Sequence, residues 1–138
     1  MDSEIQPKQK EHGQSMVELA LTITILMVLL AGTIDLGHAF FVWLRMRDAA
    51  QEGASYRSFC PTDLGGTELR VRDNLDLVND YTVDPGPPTV SQGDTITVIV
   101  ETDLPISMPF LGTIIGSDTI HIAATINDTV LRSTCPPP

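Results

Sequence analysis

From Leu19 to Ile34 the chain carries no charge and no proline, and its polar interruptions are Thr22, Thr24, Thr33 and Gly32, all tolerable in an apolar helix. At about 1.5 Å per residue, the stretch from Met16 to Leu44 is long enough to cross a hydrocarbon core of about 30 Å. Glu18 and Asp35 stand near the two ends of the apolar run, where carboxylates reach interfacial water; at mid-bilayer a carboxylate would cost several kcal/mol. The pattern predicts one membrane-spanning helix with a small domain behind it. Phe40-Phe41-Val42-Trp43-Leu44 followed by Arg45 and Arg47 places aromatic rings next to cations, as a membrane–water boundary favours.

The helix is expected to continue. Arg45 to Phe59 has no proline and is rich in alanine, and Cys60-Pro61 should end it, because the residue before proline is pushed out of the α region. Within this part Ala50, Gly53 and Ala54 form a small-residue stripe. The stripe either lets a partner helix approach closely or packs against the protein's own domain. Thr62 to Gly66 reads as a turn. Leu69, Val71, Leu75 and Val78 then fall near one helical face, predicting a short helix over 67–78 with Thr67 as N-cap.

Beyond Asn79 the period changes. Tyr81-Thr82-Val83 is strand-like until Asp84-Pro85-Gly86-Pro87-Pro88 breaks it, and Ser91-Gln92-Gly93-Asp94 is a turn of hairpin type. Thr95 to Glu101 alternates Thr and Glu with Ile and Val, and Thr119 to Ile126 forms a further strand that could run on to Leu131. Leu104 to Gly116 is apolar but broken by Pro105, Pro109, Gly112 and Gly116. It either closes the core at the membrane-proximal end or exposes a patch to a partner or the bilayer surface. The expected fold class is α+β: a long N-terminal transmembrane helix running into a small exported domain, with a short helix and a three- or four-stranded antiparallel sheet.

Residues before the apolar run decide what kind of membrane segment it is. Met1 to His12 is polar, with Lys8 and Lys10 against Asp2, Glu4 and Glu11. The apolar run is longer than a signal-peptide core, and Asp35-Leu36-Gly37-His38 after it offers no small-residue cleavage site. Any processing signal lies before the helix. Gly13-Gln14, with Glu18 at the fifth position after the glycine and an apolar helix behind it, resembles a type IV prepilin leader junction. Asp35-Leu36-Gly37-His38 and Ala49-Ala50-Gln51-Glu52-Gly53-Ala54-Ser55-Tyr56 narrow the likeness to the TadE/TadG-like pseudopilins of tight-adherence (Flp) pilus systems, over roughly Gly13 to Tyr56.

The resemblance implies a leader over 1–13 removed by a prepilin peptidase after Gly13, a helix over 14–59 and an exported domain over 60–138. It also implies a cytoplasmic N-terminus in the inner membrane, with other pilin or pseudopilin subunits, the Tad assembly platform and the lipid bilayer as partners. A glycine leaves the scissile bond unhindered. Glu18, costly to bury alone, would be neutralised by the new amino group of Gln14 on a neighbouring subunit, and Asp35 would lie at the interface or contact an assembly partner. The alternative is an unprocessed single-pass protein whose acidic outer domain binds a ligand or partner.

Charge and chemistry narrow the function. The net charge is −10, and residues 48–138 hold thirteen acids against Arg57, Arg70, Arg72 and Arg132, which argues against nucleic-acid binding. Cys60 and Cys135 flank the exported part and suggest one disulfide, with two buried thiols as the alternative. His12, His38 and His121 are isolated, Asp73, Asp76 and Asp80 lack a calcium-loop glycine, and no nucleophile or phosphate-loop motif is present. Neither an enzyme nor a metal or cofactor site is expected.

Overall fold

A computed structural model describes residues 11–76, 78–107, 112–113 and 116–135. The leader expected over 1–13 therefore lies mostly outside the described residues, as do Met108, Pro109, Phe110, Leu111, Ile114 and Ile115 of the apolar loop and the final Pro136-Pro137-Pro138.

Helix α1 runs unbroken over Glu11–Phe59, 49 residues or about 73 Å. Nothing in its sequence interrupts it until Cys60-Pro61, where the Cys60 amide still donates to the Tyr56 carbonyl at 3.0 Å. Helix α2 spans Leu64–Asp73. It starts before the expected Thr67 because the Asp63 carboxylate accepts from the Gly66 amide at 2.9 Å and caps the helix there. Thr67 is instead buried inside the helix, its hydroxyl donating to the Asp63 carbonyl at 2.9 Å. The helix also ends before the expected Val78. Leu75 and Val78 reach the core from successive turns whose amides bond Arg72 and Leu75 carbonyls.

The sheet has three antiparallel strands in the order β1 (Tyr81–Asp84), β2 (Thr95–Pro105), β3 (Thr119–Thr129). Strand β2 runs beyond the expected Glu101 because β3 pairs with it along its whole length, from Thr95 opposite Thr129 to Pro105 opposite Thr119. Pro105 occupies the last position, where a missing amide costs the ladder little. The alternation is plain in burial: Ile96, Val98, Val100 and Thr102 face inward. The Ser91–Asp94 turn, with Gly93 at φ 92°, does not join two neighbouring strands directly. It hangs on the end of β3 through Gly93 to Val130 and Val130 to Asp94 backbone bonds.

The core is built on the second half of α1. Val42, Met46, Ala49, Ala50, Gly53, Ala54, Arg57 and Ser58 recur at three- and four-residue steps and are all buried, an amphipathic stripe. The sheet covers this stripe from one side. Helix α2 packs on α1 and meets the sheet chiefly at β1. Leu131 and Arg132 amides donate to the Ser58 carbonyl, so β3 ends beside the end of α1. It begins at the opposite edge, towards the apolar half of the helix.

Candidate assembly site

The first half of α1 has nothing of its own chain to lie against. Between Gly13 and Phe59 it includes an 18-residue window of mean hydropathy 2.2, none of it buried within the molecule. Met16, Leu19, Ile25, Leu26, Leu29, Leu30 and Ile34 are all exposed. The threonine hydroxyls in this half satisfy themselves: Thr22, Thr24 and Thr33 donate to the carbonyls of Glu18, Ala20 and Leu29 at 2.8–2.9 Å. Such back-bonding leaves an apolar surround with no hydroxyl donor to satisfy.

Gly13 and Gln14 stand in the first turns of this helix, and a Cβ built on Gly13 meets no atom within 4 Å. Glu18 is exposed and lies one turn beyond Gln14, so both share a face. Asp35 is half-buried and engaged within the chain. Phe40, Phe41 and Trp43 stack edgewise and tilted at 6.1–6.4 Å between centroids, and the Arg47 guanidinium sits 5.7 Å from the Trp43 ring. This is an aromatic-and-cation collar where the apolar half meets the domain.

Ala50, Gly53 and Ala54 occupy a different place from the other site residues. All three are buried inside the chain's own domain. A Cβ on Gly53 would stand 2.5 Å from Val71 Cγ2, so the glycine is what lets α2 close on α1. The contacts of this stripe among the described residues are with the protein's own domain. Cys60 and Cys135 are joined as a disulfide across 75 positions, enclosing α2 and the whole sheet.

Two features of the α1 terminus went unread in the sequence. Arg57 is fully buried, its Nη2 donating to the Pro87 carbonyl while Nε and Nη1 meet no protein acceptor among the described residues. Burial pushes its guanidinium down from the usual value, and the Asp84 carboxylate opposes that shift. The signal was present: Arg57 continues the buried spacing that begins at Val42. Tyr56 donates to Asp63 Oδ2 at 2.7 Å. That bond raises the Tyr56 pKa, helped by desolvation and the Asp63 charge and opposed by Arg70. The same bond, followed by the Gly66 amide, holds Asp63 below the usual carboxylate range. Arg70 lies 5.1 Å from the Tyr56 ring and 3.5 Å from Glu52, exposed contacts of small weight.

Among the described residues no three His, Cys, Asp or Glu side chains gather in a metal-binding group. No curated protein and no solved structure matches the chain. Residues 13–55, from the glycine of the leader-like junction to the buried stripe of α1, match the model of the TadE family, described as TadE-like protein, which is consistent with a TadE-like pseudopilin.

Proposed function

We propose that this protein is a membrane-anchored minor pilin of a Tad-type pilus, made as a precursor and cut by a prepilin peptidase between Gly13 and Gln14. The observation that carries the reading is the division of one helix: an apolar half its own chain leaves bare, continuous with a half that forms the core of a folded domain. The family match falls on that helix. A bare apolar half can exchange lipid for neighbouring helices without unfolding the domain. Cleavage would free the Gln14 amine one turn from Glu18, and an amine of one subunit would then pair with a carboxylate of the next, relieving a charge otherwise costly in apolar surroundings. The N-terminus faces the cytoplasm, and the disulfide-bonded domain faces the oxidising side.

Intact mass and N-terminal analysis of the full chain, co-expressed with and without a prepilin peptidase, tests the reading. The expected result is peptidase-dependent loss of residues 1–13, abolished by Gly13→Val. A Met1 terminus left unchanged by a peptidase that works on another substrate would support the unprocessed, partner-binding alternative instead.

A further inference from the structure

Where the apolar half of α1 meets the domain, the chain encloses a groove with two lobes. One, of about 260 Å³, is lined by His38, Phe41, Val42, Arg45 and Val78. The other, of about 310 Å³, shares His38, Val42 and Val78 and is bounded on its far side by Asp80, Asp103 and Pro105. The groove thus has a cationic end at Arg45, an acidic end at Asp80 and Asp103, and aliphatic side chains between. Arg45 and Asp80 make no side-chain hydrogen bond or ion pair among the described residues, whereas Asp103 meets His121 Nδ1 at 3.0 Å. Asp80 takes a left-handed backbone, φ 54°, as the chain turns into β1, a conformation that aspartate tolerates better than most residues.

Depth identifies the occupant. His38 is twenty residues beyond Glu18, about 30 Å along the axis and equal to the hydrocarbon thickness, and Arg45 is about 10 Å higher. The groove therefore opens in the head-group layer, beside the Phe40 and Trp43 collar. We propose that it seats the head group of an aminophospholipid, with the phosphate at Arg45, the primary ammonium at Asp80 and Asp103, and the acyl chains descending past Phe41. Charge-assisted hydrogen bonds at both ends favour this zwitterion. A choline head group has no N–H to donate, and a purely anionic head group meets two carboxylates and an acidic domain. The proposal rests on the reading of α1 as the membrane span.

The test uses the full chain in vesicles of phosphatidylethanolamine, phosphatidylcholine and phosphatidylglycerol with identical acyl chains. Protease protection first establishes insertion, and native mass spectrometry after detergent extraction then reads the retained lipid. Phosphatidylethanolamine should be retained about tenfold over phosphatidylcholine, the worth of one charged hydrogen bond. Asp80→Asn should bring the ratio close to one. Arg45→Gln should lower retention of both lipids, because both carry the phosphate, and Glu68→Gln, outside the groove, leaves retention and ratio unchanged. Equal retention of the three lipids by an inserted chain, a preference for phosphatidylglycerol, a preference that survives Asp80→Asn, or retention untouched by Arg45→Gln overturns the proposal alone. A chain that fails to insert overturns it together with the membrane reading.

Discussion

The two halves of α1 share one backbone conformation and almost nothing else. Before Val42 the helix carries bulky aliphatic side chains all round and buries none of its most apolar stretch. After it, burial is confined to a stripe in which Ala49, Ala50, Gly53 and Ala54 are small enough for the sheet and α2 to close in, while Arg47, Asp48, Gln51 and Glu52 face solvent. Both halves nonetheless form one unbroken helix. The difference lies in what each expects to touch: the first a medium as apolar as itself, the second its own domain.

That comparison breaks apart most visibly at the disulfide. Cys60→Ser opens a closure spanning 75 positions, worth about 4 kcal/mol in the chain-entropy model. A large fall in the thermal midpoint of the domain, followed by circular dichroism in detergent, is the expected outcome, with membrane insertion of the first half unaffected. The converse substitution is Leu26→Arg, at an exposed position deep in the apolar half. It should weaken insertion by about 3 kcal/mol, read as a shift from the membrane to the soluble fraction on alkaline extraction, and leave the melting of the domain unchanged. If either variant damaged both halves equally, the helix would be a single cooperative unit and the division would be wrong.

These two halves were legible in the sequence to different degrees. The apolar run and the break at Cys60-Pro61 give the existence and the end of α1, because absence of charge and presence of proline act locally; its start at Glu11 lies before the expected residue 14. The period-2 run of β2 is likewise local, yet its continuation through Asp103, Leu104 and Pro105 is not. Those residues extend the strand only because β3 supplies partners opposite them. The start of α2 was missed for a similar reason: Asp63 outcompetes Thr67 as the cap once Tyr56 donates to its other oxygen. For Ala50, Gly53 and Ala54, small residues in a helix signal close approach without saying of what. The answer depends on Val71, eighteen residues beyond Gly53 and brought to it by the turn at Pro61. The groove between Arg45 and Asp80 joins residues that no spacing rule connects.

A glycine substitution in each half sharpens the contrast at smaller scale. At Gly37 a Cβ meets nothing within 4 Å, while at Gly53 it meets Val71 Cγ2 at 2.5 Å. Alanine gains up to about 1 kcal/mol of helix propensity at either site. Gly37 lies before the buried stripe that begins at Val42, so Gly37→Ala should leave the melting of the domain unaltered. Gly53→Ala should destabilise the domain by about 1 kcal/mol, the cost of overpacking exceeding the propensity gain. In a Val71→Ala background the obstruction is gone, so the same change should turn neutral or stabilising in a double-mutant cycle.

The smallest effect tests whether the end of the buried half is fastened electrostatically. Tyr56 projects from α1 and Asp63 caps α2, so their 2.7 Å bond ties the two helices across the Pro61 turn. Asp63 is held below its ordinary value, so its contribution is present above the unfolded carboxyl pKa and is lost as pH falls through the folded one. Tyr56 is raised, so its contribution is present below the unfolded phenol value and is lost as pH rises through the folded one. The stability gap between the native chain and Tyr56→Phe should accordingly be flat between about pH 5 and 9 and narrow below about 4 and above about 10. Thermal midpoints of the two proteins across that range measure it. A gap that is constant through both limbs would mean that the phenol acts by packing alone, and that the α1–α2 junction, like the bare half of the helix, owes nothing to charge.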